Sequence, residues 1–165
     1  HRKKAFEEYL ALEWAYDQLS GKSRKYLYFL SREIRMEVRG RRVLLTHGSP
    51  GADDGYITAD TPEKQLAKIT REVKAEFILC GGSHESFAHS VEGAWFISPG
   101  SAGLPRDGDP RAAYSILDLT AAESQVFPYR LEYDVERLVA ELDRQKLPET
   151  FARMFREGRP LDVVL

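Results

Sequence analysis

Apolar positions recur along this chain with two different periods. Over about 3–18, Phe6, Leu10 and Trp14 return every four residues, which predicts an amphipathic helix with those side chains on its inner face, ended by Ser20-Gly21. A second helix is predicted over about 23–31, with Ser23 as N-cap and Tyr26, Leu27 and Leu30 for the core. The period then shortens. Apolar runs at 34–38 and 42–46 flank Arg39-Gly40-Arg41 and predict a hairpin. Asp60-Thr61-Pro62-Glu63 supplies a cap and an early proline for a helix reaching about 73, and a short apolar run at 76–80 follows. Strand, helix, strand in that order predicts parallel sheet. Segments 87–91 and 94–98 around Glu92-Gly93 predict a second hairpin, and 112–119 and 123–129 two more strands. Helices over about 134–145 and 149–156, parted by Leu147-Pro148, close the pattern, with Val135, Leu138, Val139 and Leu142 on one stripe. There is no internal repeat and no low-complexity segment. Helices at both ends of a sheet-rich middle predict one α/β layered domain over 1–165.

Composition narrows the function classes. A chain of 165 residues with formal net charge -2 has enough length for a real core and too little positive charge for general nucleic-acid binding. Cys80 is the only cysteine, which excludes a disulfide framework and a cysteine-rich zinc site and fits a cytoplasmic setting. No apolar run is long enough to span a bilayer and the N-terminus does not resemble a signal peptide, so a soluble protein is expected. The chain opens on His1-Arg2-Lys3-Lys4 without an initiator methionine, which predicts that a first part is missing.

Chemistry is expected where two apolar strands empty into loops. The run 76–80 passes into Cys80-Gly81-Gly82-Ser83-His84, and 42–46 passes into His47-Gly48-Ser49-Pro50, so an imidazole follows each strand end. Imidazoles from two loops can share a divalent metal if their strands are neighbours; they can equally be loop histidines that only hydrogen-bond. His89, inside a strand, reads as a packed or surface residue. Asp53, Asp54 and Asp60 read as a solvated acidic loop with a helix cap, and the basic run 39–42 as a solvated turn.

Three segments together carry a resemblance: Val43-Leu44-Leu45-Thr46-His47-Gly48-Ser49-Pro50, then Cys80-Gly81-Gly82-Ser83-His84, then Ser98-Pro99-Gly100-Ser101-Ala102-Gly103-Leu104-Pro105-Arg106-Asp107-Gly108. In order and separation they resemble the C-terminal motifs of the calcineurin-like metallophosphoesterases, most closely the small bacterial phosphodiesterases and diadenosine polyphosphate hydrolases. The flanks, from Trp14 and Leu19-Ser20 to Tyr133-Asp134-Val135-Glu136, are similar as well. The resemblance implies a four-layer αββα sandwich with two mixed sheets, incomplete at its N-terminus, and two divalent metals at the sheet ends. It further implies metal-dependent hydrolysis of a phosphoester bond by the complete protein, either a phosphodiesterase or a phosphatase. By the same resemblance His47 corresponds to the histidine of the family's H-G motif, a ligand of the second metal. His84 corresponds to the last histidine of G-H-x-H, a ligand of the first.

Two departures qualify that expectation. Gly82 stands where the first histidine of G-H-x-H would ligate the second metal, so that site is expected to be weakened. The family's N-terminal motifs, D-x-H, G-D-x-x-D and G-N-H, are absent, so this chain alone is expected to be inactive. His1 is a candidate for the trailing catalytic histidine of G-N-H, although the acidic residue expected after it is missing. Arg106 is a candidate for holding a phosphate oxygen, the alternative being an arginine that ties Asp107 or a backbone carbonyl into the turn. Ser83 either reaches substrate or caps its loop. The expected partners are a small phosphorylated substrate and either the missing N-terminal segment or a second copy of the chain. The competing reading is a degenerate member that binds a phosphate-bearing ligand or a protein without turnover.

Overall fold

The computed structural model describes residues 2–52, 55–120 and 123–165. Two helices open it, α1 (Arg2–Gln18) and α2 (Gly21–Tyr28). A hairpin of β1 (Glu33–Val38) and β2 (Arg41–Thr46) follows, then α3 (Glu63–Val73) and β3 (Phe77–Cys80). A second hairpin, β4 (Ser86–Val91) and β5 (Ala94–Pro99), precedes a third, β6 (Ala112–Asp118) and β7 (Gln125–Leu131). The chain ends in α4 (Val135–Arg144), α5 (Glu149–Glu157) and α6 (Leu161–Val164).

Strands β1 to β5 form one mixed sheet in the order β1-β2-β3-β5-β4, and β6 and β7 form a separate antiparallel pair. In the centre, β2, β3 and β5 run parallel, with Val43 opposite Phe77 and Phe77 opposite Trp95. These are the strands with continuous apolar sequence, as burial on both faces requires. Alternation then sorts their side chains. Leu44, Ile78 and Phe96 face α3 together with Leu66, Ala67 and Ile69, while Val43, Phe77 and Ile97 face the opposite way, toward Leu117 and Val126 of the β6–β7 pair. Phe77, Phe96, Leu44 and Ile78 are fully buried, each stabilising the fold by about 1.5–3 kcal/mol relative to exposure. The result is a mixed α/β fold with a central sheet flanked by helices. No helix among the described residues is long and apolar enough to cross a membrane.

The ends of the chain depart from the periodic reading. Phe6 is exposed, and the residue of α1 that is buried is Glu7, whose carboxylate accepts a hydrogen bond from the Thr150 hydroxyl of α5. Ala11 packs with Phe151, Met154, Leu161 and Val164 in a second core, and Leu10 and Trp14 of the predicted stripe are half-buried, so Phe6 is its one member that faces outward. The N-cap of α2 is Ser20, whose Oγ accepts from Ser23 N–H at 3.1 Å; Ser23 is the donor of that cap, not its acceptor. Tyr26, Leu27 and Leu30 are exposed because no described element packs on α2 from that side. The N-cap of α3 is Pro62, with no side-chain cap, so Asp60 does not cap it. By contrast Asp134 caps α4, accepting from Arg137 N–H at 2.9 Å. Helix α6 was not predicted: four residues after Pro160 are too few for a periodic signal, and burial of Leu161 and Val164 holds them. The second sheet is purely antiparallel among the described residues, not mixed.

Candidate functional site

Because β2 and β3 are parallel neighbours, their C-terminal ends lie side by side. Thr46 pairs with Cys80, and Gly81 N–H continues the ladder to the Thr46 carbonyl at 3.2 Å. His47 and Gly81 therefore leave the sheet together, and Gly81 lies against His47. The same edge receives the end of β5, where the buried Ser98 hydroxyl donates to the Glu85 carbonyl at 2.6 Å and ties the 81–85 turn to the end of that strand. This is the crevice at the carboxyl ends of parallel strands where ligands of open α/β sheets bind.

His47 is exposed, and its ring meets Tyr56 edge-on with centroids 6.1 Å apart at 88°. Both rings line a cleft of about 500 Å³, with Arg32, Thr46 and Ser49 among its other walls. His84 is half-buried and takes a positive φ of 62°. Its Nδ1 lies 2.6 Å from the Leu104 carbonyl oxygen. A carbonyl can only accept, so Nδ1 carries the proton, and in the neutral ring Nε2 is then the nitrogen with a free lone pair. That contact brings the third motif segment to the second.

The remaining sequence candidates sit elsewhere or are engaged. Ser83 is buried, and its Oγ accepts from Glu85 N–H at 3.4 Å, a loop-capping contact. Arg106 borders a different, apolar groove beside Leu12, Trp14 and Phe155. Its neighbour Asp107 pairs with Arg130 of β7 instead. His89 stacks on Phe87 at 5.3 Å, with Nε2 3.1 Å from the Ala59 carbonyl. His1, Asp53 and Asp54 lie outside the described residues. Cys80, at the same edge, is unsuited to nucleophilic work: burial pushes its thiol up to about 12, and its Sγ donates to the Ile97 carbonyl at 3.5 Å. Sequence reasoning missed Tyr56, because nothing in the loop composition shows that residue 56 returns to the sheet edge beside position 82.

A metal must be tested against these donors. Among the described residues no three histidine, cysteine or carboxylate side chains gather in a way that could hold an ion. Two imidazoles at one edge are a partial ligand set, and the described residues do not by themselves fit a two-metal centre.

The model of the calcineurin-like phosphoesterase superfamily domain matches residues 15–122, more than half of the chain. This chain belongs to that superfamily. Its members typically use divalent metals. An uncharacterized protein of Methanocaldococcus jannaschii is 25% identical over 91% of this chain and 65% of its own length. The vacuolar protein sorting-associated protein 29 of Schizosaccharomyces pombe is 30% identical over 58% of this chain and 55% of its own length. The crystal structure of a metallophosphoesterase from Sphaerobacter thermophilus superposes with a TM-score of 0.74 at 24% identity, covering 88% of this chain and 66% of that one, and so shares the fold. The chain thus spans less than two thirds of the length of each of these relatives.

Proposed function

We propose that this chain carries part of the site of a metal-dependent phosphoester hydrolase, with His47 and His84 as its metal-directed imidazoles. The observation that supports this most is their placement: both follow parallel, adjacent strands at one edge of the sheet, in a chain of the calcineurin-like superfamily. With only these two imidazoles at the edge among the described residues, the described part of the chain contributes to a metal site and does not complete one. Its own residues do two things. The Leu104 carbonyl holds His84 in one tautomer and orientation, and residues 47–49, 51–52 and 55–56 wall a cleft large enough for a small organic phosphate. The motif segments resemble those of the small phosphodiesterases and diadenosine polyphosphate hydrolases, so a phosphodiester is the substrate class to try first.

The second reading, a member that binds without turnover, is supported by Gly82 and by similarity to a relative named for vacuolar protein sorting. One assay separates them. With Mn²⁺ and a chromogenic phosphodiester, the hydrolase reading expects product from the protein that contains this chain, and a loss of at least about 10²-fold in His47→Ala or His84→Ala. Thermal protection by phosphate without product, unchanged by either substitution, would support the binder and sink the hydrolase.

A further inference from the structure

Position 82 is where a side chain would emerge beside His47, and the structure has already filled that space. A methyl group built on Gly82 would collide with Cδ1 and Cε1 of the Tyr56 ring and lie 2.9 Å from the His47 carbonyl oxygen. Gly82 also takes φ +81°, which disfavours any larger residue. The ring is held near the sheet end by a bond between the two flanks of its loop, Ser49 N–H donating to the Gly55 carbonyl at 3.1 Å. Tyr56 is half exposed and lines the cleft edge-on to His47.

We propose that Tyr56 is a site-forming residue that takes the place of a metal-ligating side chain at position 82, so that this wall of the His47 cleft meets its ligand as a phenol ring. Gly82 is then the complement of Tyr56 and not a simple loss: the glycine leaves room for the ring, and the ring excludes an imidazole. This extends the reading of His47 and His84 as metal-directed groups by stating which neighbouring position is closed to metal and by what.

The test uses Ni²⁺ alone, titrated calorimetrically into the wild-type chain, Gly82→His, Tyr56→Ala and the double variant, with circular dichroism confirming the fold of each. With the ring present its overlap bars an imidazole at 82; with the ring gone, the positive φ and the approach to the His47 carbonyl oxygen remain and require the turn to shift slightly before His47 and an imidazole at 82 can share Ni²⁺. The expected result is at least tenfold tighter binding in the double variant than in Tyr56→Ala, with Gly82→His no tighter than wild type. If Gly82→His fails to fold while the double variant folds and binds, steric exclusion by Tyr56 is equally supported. Binding by Gly82→His as tight as by the double variant would overturn the proposal, as would a double variant no tighter than Tyr56→Ala. No turnover is measured, so an inactive protein would leave this result intact, and an active one would not rescue it.

Discussion

Cys80 lies at the end of β3 with only 2% of its surface exposed, and among the described residues no cation offsets burial of a thiolate. Desolvation therefore favours the protonated form, and the thiol is pushed up to about 12. Since the thiolate is the reactive species, native protein at pH 8 should resist an aromatic disulfide reagent that modifies the urea-unfolded chain rapidly. Fast labelling of the native state would show that the β3 end opens. The sign of the pH effect follows. The folded group holds its proton more tightly than an unfolded cysteine of pKa about 8.5, so its contribution is complete below that value and is lost as pH rises toward 12. Urea midpoints should fall above pH 9, and less steeply in Cys80→Ala. His84 shows a different kind of constraint, a left-handed backbone held by one bond to Leu104. His84→Ala should cost about 0.5–1.5 kcal/mol in urea unfolding; no change would mean that the bond does not hold the turn.

At the scale of elements, the terminal helices are joined to the sheet by close contacts, not by broad apolar faces. Helix α5 ends at Gly158, at φ +60°, where a methyl group would stand 2.7 Å from the Asp109 carbonyl carbon. Gly108 N–H also donates to the Gly158 carbonyl at 2.9 Å, pinning α5 to the loop after β5. Gly158→Ala meets both the backbone penalty and the collision, and should destabilise by about 1–3 kcal/mol. A smaller effect, read from the same urea curves, would mean that α5 can back away from the loop. Asp109 stiffens that loop: hydrogen bonds from Arg111 hold its carboxyl down to about 2, with Arg130 of β7 adding a weaker attraction. The bonds persist until well into acid, being present above the usual carboxylate range and lost as pH falls through about 2.

For the molecule as a whole, one large surface stands out. The outer face of the β6–β7 pair exposes Tyr114, Ile116, Phe127 and Tyr129, with Tyr114 and Tyr129 stacked at 5.0 Å across the strands. Helices α1 and α2 expose Phe6, Tyr9, Leu12, Tyr26 and Tyr28 besides, as does Phe29 just after α2. Contiguous apolar surface of this kind is uncommon on an isolated monomer. The chain alone should bind an apolar fluorescent dye and associate as concentration rises in sedimentation velocity. A dye-free monomer across the accessible range would show that these side chains are covered by some other packing.

Periodicity by itself determined the β2–α3–β3 unit, the hairpins and the stripe on α4, because each follows from local alternation or from a helical period that burial then rewards. It also located the strand-end loops of His47 and His84, since apolar runs that stop in glycine and histidine are legible without a fold. Tertiary structure decided the rest. Burial of the charged Glu7 on α1 goes with the hydroxyl of Thr150, remote in sequence, and whether α2 is covered depended on what packs beside it. That His47 and the 81–84 turn share one edge follows from β2 lying beside β3 in parallel, and that Gly82 is occupied follows from Tyr56 folding back across it. Strand neighbours and loop returns are set by long-range packing, whose free energy no local pattern carries.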